Sequence, residues 1–456
     1  VKNVISPGPH PAYGGTYPCL KTKNVNELLA DLEPADFADV KDIGNLEKVQ
    51  VEYGDLLINL TGAGSIGRVS VYYGDDLPVT NQHIARMGIK DTYDEGYVAA
   101  FLRTWWGERA LEQGVAGSTG QINMVNDHVR SIPVIIFNSA VQKYIGDKVR
   151  QAERLRAWAK TQRDKIDIYY DSMRDDVPAD ARKRSFNRVS NEHLVPRLNA
   201  EYYAPEFVQT EMGLRRKFGK LSTVGELAPT IRSKQKPKGD CRYFEIGDLS
   251  TSKGAFESGT YYRKGEAPNN AQRKFDVGDV AVSTRRPNRG AIAVVEDGGT
   301  DNFYSVFLAR LKPKNIAFGY WLKEFLRHST GRLLLQQRCT WTTYPVISED
   351  DLETIPVPVV ESDWEYISEL SKQSVQYEEK AKCLTGAAKL LVEALIEGQL
   401  TEVELIAAEQ GLQGGNDQLD RRILSRLKAD GIDGQGQALF DDLPELYHLL
   451  TLAERD

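Results

Sequence analysis

The stretch Val51-Glu52-Tyr53-Gly54-Asp55-Leu56-Leu57-Ile58 returns 224 residues later as Phe275-Asp276-Val277-Gly278-Asp279-Val280-Ala281-Val282. Each copy sets an acid, a Gly-Asp turn and a short apolar run in the same order, the pattern of a turn feeding a strand. Working outward, Leu20–Val25 lines up with Phe244–Leu249, Ala85-Arg86 with Ala309-Arg310, and Phe101-Leu102-Arg103 with Phe325-Leu326-Arg327. One residue is then lost, and Ile132-Pro133-Val134 matches Ile355-Pro356-Val357. Any one match is weak, but six in one order at almost one offset, with the Gly-Asp turn and the apolar run of the opening stretch counted separately, indicate a duplication. A unit this large, used twice, means two globular domains and not a solenoid.

Both copies read alike. β-rich segments come first (Arg68–Tyr73, Ala291–Val295), then a short helix (about Gly96–Gln113, Gly319–Gln337), then a strand ending in Ile-Pro, then a long helix. In the first long helix Val141, Ile145, Lys148, Ala152, Leu155, Ala159, Gln162, Ile166, Tyr169 and Met173 recur at alternating steps of four and three. In the second, Ile367, Leu370, Ser374, Tyr377, Ala381, Leu384, Ala388, Leu391 and Leu395 do the same. A 3.5-residue period keeps one stripe facing a partner helix. The two helices, about 45 Å each at 1.5 Å per residue, are therefore expected to pair with each other, with Lys148, Gln162 and Ser374 as imperfections in the seam.

The fold class expected is α+β: two duplicated mixed α/β domains separated by long helices that form an antiparallel coiled coil, plus a short helical C-terminal tail. The boundaries are domain 1 over 1–137, spacer helix 1 over 138–176, a linker over 177–196, domain 2 over 197–360, spacer helix 2 over 361–398 and an acidic tail over 399–456. The linker is polar and contains Pro178. Domain 2 opens with Arg197–Pro229, including a helix-like Leu221–Leu227, and projecting this back by 224 falls before residue 1. Domain 1 is thus expected to be truncated at its front, or to be the downstream part of a longer polypeptide. In the tail, Thr401–Gln413 and Leu443–Leu452 read as short helices that bind a partner or cover a core.

The chain has 456 residues, 27% charged and 41% hydrophobic, with a formal net charge of −7. The mild acidity argues weakly against a nucleic-acid binder. That argument fails by region. Thr401–Asp456 carries 5 Lys/Arg against 12 Asp/Glu, so residues 1–400 are neutral, and Ala140–Asp240 is net +8. No apolar run of about 18 residues suggests a membrane span, and no signal peptide opens the chain. Cys19, Cys241, Cys339 and Cys383 lie far apart. Such spacing argues against a disulfide framework or a zinc site and fits a reducing, cytoplasmic location.

Gly62-Ala63-Gly64-Ser65-Ile66-Gly67 has the G-x-G-x-x-G spacing of a dinucleotide site. Such a site needs a helix next, so that phosphate meets its N-terminus. The next residues, Arg68-Val69-Ser70-Val71-Tyr72-Tyr73, are instead β-branched and aromatic, so the segment reads as a glycine-rich turn. The six histidines are scattered, and neither a Walker loop nor an Asn-Pro-Pro-Tyr motif of amino-methylases occurs. No catalytic residue and no metal ligand is expected.

Two loops diverge where the frameworks agree. The first is Thr61–Arg68 against Thr284–Arg289; the second is Gly117–Asn123 against Thr340–Tyr344. They display Arg, Asn, Gln, Ser, Thr, Trp and Tyr, which read base edges, bond phosphates or stack. Related readers of two different sequences would share a scaffold and differ in such loops.

Taken together, Tyr17-Pro-Cys-Leu-Lys-Thr-Lys-Asn-Val25, Gly54-Asp55-Leu-Leu-Ile-Asn59, Gly117-Ser-Thr-Gly-Gln121 followed by Ile132-Pro133 and its helix, and Arg197-Leu-Asn-Ala-Glu-Tyr-Tyr203 resemble the specificity subunit of type I restriction–modification enzymes. The resemblance covers about residues 1–400. It departs in the second copy, which has Cys339-Thr-Trp-Thr-Thr-Tyr344 in place of Gly-Ser-Thr-Gly-Gln. It implies two target-recognition domains, each reading one half of a bipartite site in double-stranded DNA. The helices would set the spacing and dock adenine-methyltransferase subunits, two being expected, and a motor–nuclease subunit would join them. No cofactor is expected on this chain; S-adenosylmethionine and Mg/ATP belong to the partners. The DNA-binding residues expected are Lys21, Lys23, Asn24, Thr61, Ser65, Arg68, Ser118, Thr119, Gln121 and Asn123 in the first domain. In the second they are Arg285, Arg286, Asn288, Arg289, Trp341, Thr342 and Tyr344. The alternatives are the specificity region of a single-chain methyltransferase or restriction fusion, and a scaffold that does not bind DNA.

Overall fold

A computed structural model describes residues 3–5, 12–33, 35–39, 46–115, 123–174, 197, 199–341 and 343–454. The linker expected over 177–196 lies outside these residues. Along the chain come β1 (Asn3–Ile5), β2 (Ala12–Leu20), β3 (Asp36–Asp39), α1 (Leu46–Val49), β4 (Leu56–Asn59), β5 (Val69–Val71), β6 (Val79–Thr80), β7 (Ile84–Gly88), α2 (Glu95–Leu102), α3 (Trp105–Glu112), α4 (Asn126–Ser131) and the long α5 (Ser139–Ser172). The second copy contributes α6 (Pro205–Phe218), β8 (Ser222–Thr223), α7 (Val224–Leu227), β9 (Cys241–Phe244), β10 (Thr260–Tyr262), β11 (Ala271–Arg273), β12 (Val280–Ser283), β13 (Ile292–Val294), β14 (Asn302–Ser305) and β15 (Leu308–Leu311). Then come α8 (Ile316–Arg327), α9 (Ser329–Gln337), β16 (Thr340–Trp341), β17 (Pro345–Val346), α10 (Glu349–Glu353), β18 (Pro356–Val357) and the long α11 (Trp364–Ile396). The tail holds α12 (Glu402–Gln413), α13 (Gln418–Arg426), β19 (Leu427–Lys428), β20 (Gly431–Ile432) and α14 (Leu443–Ala453).

The architecture is mixed α and β, and the duplication reaches single hydrogen bonds. β4 lies between β7 and β5, and β12 lies between β15 and β13, all antiparallel. β2 pairs with β6 in parallel, Cys19 opposite Val79; β9 pairs with β14 in parallel, Tyr243 opposite Phe303. Every residue of β4 and β12 is buried, as their unbroken apolar runs require. Asp55 takes the Arg86 Nε at 2.6 Å, and Asp279 takes the Arg310 Nε at 2.5 Å. Gly54 and Gly278 hold left-handed φ of 82° and 88° ahead of these aspartates, a conformation that favours glycine. Burial pushes both carboxyls above their ordinary value, with the arginines pulling the other way.

The chain forms two units, Val1–Trp158 with Tyr377–Asp456, and Ala159–Gln376, and the division falls inside both long helices. In the first unit Trp158 meets Tyr377, ring centroids 5.8 Å apart, while the Asn138 N–H donates to Glu402 at 2.7 Å, so the helix segments run antiparallel. In the second unit the Tyr169 hydroxyl donates to Asp363 at 2.9 Å. Every member of both heptad stripes is buried except Tyr169, which is half-buried.

Four local expectations change. The single short helix of each copy is two helices. Thr104 caps α3 through its hydroxyl, and His328 caps α9 through Nδ1. The second helix of each pair then folds tightly over the end of the first. A Cβ on Gly107 would lie 2.4 Å from the Phe101 carbonyl oxygen, and one on Gly331 would lie 2.1 Å from that of Phe325. Ile-Pro does not close a strand. Ile132 ends α4, and Ile355 precedes β18, because proline lacks the N–H that continues a helix. Leu221–Leu227 is a strand and a single helical turn, β8 and α7. The tail contains α13 and the β19–β20 hairpin besides the two expected helices, and it belongs to the first unit.

The tail docks through charge. Asp420 on α13 and Lys148 on α5 are each 1% exposed and pair at 2.8 Å. The Tyr144 and Tyr447 hydroxyls also donate to the Asp420 carboxylate. Around this centre Lys143 meets Glu409, and Lys380 meets Asp441 and Glu445. The polar break that Lys148 makes in the heptad stripe is thus the attachment point of the tail.

Candidate nucleic-acid interface

Each unit joins the bases of its two diverged loops by the same ladder. In the first unit Thr61 bridges Asn123, and the Met124 N–H donates to the Leu60 carbonyl at 2.9 Å. In the second unit Arg285 bridges Val346, and the Ile347 N–H donates to the Thr284 carbonyl at 3.1 Å. The base of the first loop is fixed alike in both: the Leu60 N–H bonds the His83 carbonyl at 2.8 Å, and the Thr284 N–H bonds that of Phe307 at 2.9 Å.

In the first unit the turn after β4 is tight, with left-handed Gly62, Gly64 and Gly67, and it leads into no helix. The Ser65 hydroxyl donates back to the Thr61 and Gly62 carbonyls, both at 3.3 Å. Arg68 bonds Asn26, and the Asn59 amide bonds the carbonyls of Thr22 and Val25 at 3.1 Å, which joins the Lys21–Asn26 segment to this turn. Lys21 and Lys23 both reach Asp36, at 3.2 and 2.7 Å, and Lys23 above all holds that carboxyl below the usual range. Asn24 is turned inward at 3% exposure. Its Oδ1 accepts the Lys21 N–H at 2.9 Å, as Asp248 accepts that of Glu245 at 2.8 Å in the second copy. It caps a turn of the framework. Asn123 is exposed. Ser118, Thr119 and Gln121 lie outside the described residues.

In the second unit the face is cationic and aromatic. Arg286 has a left-handed backbone, φ 51°, donates its N–H to the Pro345 carbonyl at 2.8 Å and lays its guanidinium 5.4 Å from the Tyr344 ring. Arg285 lies 4.8 Å over Phe307. Arg289 is exposed, and Trp341 is 51% exposed on β16. Asn288 is half-buried, and its Oδ1 has no hydrogen-bond partner among the described residues. Thr342 lies outside the described residues. Asn26 and Phe307 were not singled out in the sequence. Their signals were position alone: one comes just after the Lys-Asn-Val segment, and the other sits 224 residues after His83.

Among the described residues no group of three or more His, Cys, Asp or Glu could hold a metal ion, and no helix is long and apolar enough to cross a membrane. Fold and loops together define a duplicated α+β protein whose two units each present one paired-loop face on a common framework.

No protein-family model matches the chain, and no curated protein matches it. Among solved structures it is similar to the S subunit of a type I restriction–modification system from M. genitalium, at 15% identity over 86% of this chain and 92% of that one, with a TM-score of 0.44. It is also similar to the HsdS subunit from Thermoanaerobacter tengcongensis, at 13% identity over 85% and 92% of the two chains, TM-score 0.28. A third similar chain comes from a study of the assembly and conformational transition of the type I R-M system, at 14% identity over 87% and 91%, TM-score 0.28.

Proposed function

We propose that this chain is the DNA sequence-specificity subunit of a type I-like restriction–modification complex, without catalysis of its own. The observation that supports it is the paired ladder: Thr61–Asn123 and Arg285–Val346 hold equivalent loops on equivalent strands, while the side chains on them differ. A common scaffold with unlike polar loops suits two half-sites of unlike sequence, since base edges are told apart by the side chains that meet them. The long helices set the separation of the half-sites and dock two adenine-methyltransferase subunits. Those partners carry S-adenosylmethionine, and a motor–nuclease partner carries Mg/ATP, in the cytoplasm.

The test is exchange of residues 1–136 for the equivalent unit of a related chain, read by sequencing methylated adenines in the host genome. One half of the methylated motif should change and the other should stay. A change in both halves, or in neither, refutes the modular reading.

A further inference from the structure

The segment from Ile231 to Asp240 in the second unit reads Ile-Arg-Ser-Lys-Gln-Lys-Pro-Lys-Gly-Asp. Lys234, Lys236 and Lys238 are all exposed, and among the described residues none of them meets a carboxylate. The acids nearby are already engaged. Asp240 takes the Tyr261 hydroxyl at 2.6 Å and the Lys264 N–H at 2.8 Å. Glu349 pairs with Arg273 at 2.6 Å, and Asp350 pairs with Arg232. Arg263 and Lys264 are exposed just beyond Asp240, as is Tyr261 at 61%. Against Asp240 and Asp301, which faces Tyr261 and Cys241, the strip sets Lys234, Lys236, Lys238, Arg263 and Lys264.

Its placement ties it to the paired-loop face. The Gln235 N–H bonds the Gln272 carbonyl at 2.9 Å, next to Ala271, which pairs with Ser305. Two residues on, Phe307 lies under Arg285. At the other end of the face, Arg232 is anchored on Asp350, four residues after Val346. The strip thus leaves β15, the neighbour of β12, at Thr230 and Ile231 and then runs along β11, whose partner β14 ends two residues before Phe307. At the repeat offset the first copy reads Pro7-Gly8-Pro9-His10-Pro11-Ala12-Tyr13-Gly14, with no lysine or arginine.

We infer that Lys234, Lys236 and Lys238 form a phosphate-binding ridge that holds duplex DNA by its backbone beside the reading loops of the second unit, and that the first copy lacks it. This rests on the DNA reading above. The ridge adds grip without sequence preference.

The probe is a random-sequence duplex of about 40 bp, bound by the full chain over a salt series. Each phosphate neutralised on duplex DNA contributes about 0.9 to the slope of log K against log salt. The variant Lys234→Gln/Lys236→Gln/Lys238→Gln should lower that slope by about 1 to 2.7 and weaken random and specific duplexes by the same factor. The charge-matched control Lys90→Gln/Lys382→Gln/Lys428→Gln should leave the slope in place. An unchanged slope in the ridge variant, with steep salt dependence in the parent, overturns the ridge and leaves the DNA reading standing. A parent chain with no salt-dependent binding overturns both. Loss of poly-glutamate binding with an unchanged duplex slope assigns the ridge to an acidic protein, and so also overturns it.

Discussion

Asp420→Ala is expected to destabilise the first unit while sparing the second. Asp420 has almost no exposed surface and takes the Lys148 ammonium at 2.8 Å and two tyrosine hydroxyls. Alanine leaves that ammonium, itself 1% exposed, buried without a counter-charge. Removing one partner of a buried pair costs about 3–5 kcal/mol. At about 2–4 °C per kcal/mol for a domain of this size, the first unit should melt roughly 6–20 °C lower. Hydrogen exchange of the full chain, read peptide by peptide, separates the units. Peptides from Val1–Trp158 and Tyr377–Asp456 should lose protection together, and those from Ala159–Gln376 should keep it. Lys148→Met/Asp420→Leu removes both charges and should recover most of the loss, apart from the hydroxyls of Tyr144 and Tyr447. A cost below about 1 kcal/mol, the scale of a surface pair, would refute the reasoning. So would loss of protection confined to residues 401–456.

Burial holds the His328 imidazole below its ordinary value against the pull of Asp171 at 3.2 Å, with Arg174 and Arg332 adding to the depression. The unfolded chain takes up this proton near pH ~6.5 and the folded chain only lower. The second unit should therefore keep its full stability above that pH and lose up to about 1.4 kcal/mol per pH unit as pH falls below it; melting curves of the parent and His328→Gln, which should flatten the profile below pH ~6.5, check this. Arg289→Ala should weaken binding to the second half-site by about 1–3 kcal/mol if Arg289 reads a base; equal loss on random duplex would make it a phosphate contact. Gly331→Ala puts a methyl against the Phe325 carbonyl, and urea titration should show a loss of at least about 1–3 kcal/mol.

The repeat was legible because its anchors are framework residues. The Gly-Asp turn and the arginine it meets recur at one offset, and the structure adds the matching hydrogen bonds. The heptad stripes were legible because burial forces their period. The tail was not. Asp420 is one acid among twelve after Thr401, and nothing local marks it as the counter-ion of a lysine 272 residues earlier. The break between α8 and α9 was hidden because the cap is His328, an uncommon capping residue beside Ser, Thr, Asp and Asn. Asn24 read as a surface contact because its neighbours Lys21 and Lys23 face outward, whereas only the turn geometry shows that it points inward. The loops of the second unit were legible as a pair; that Arg285 rests on Phe307 required the strands between them.

Lys148 and Asp420 also set an order of assembly. A ribosome adding about 5–20 residues per second needs roughly 14–54 s to travel from one to the other. Through that interval the apolar stripe of the first long helix waits without the segments that bury its leading half. The second unit, whose residues are contiguous, is complete before the first can close. Closing a loop of this length costs only slowly growing entropy, so the penalty is one of time: the early half is the part of the nascent chain most in need of a chaperone, and slowing translation between residues 158 and 420 should lower the yield of the first unit before it touches the second.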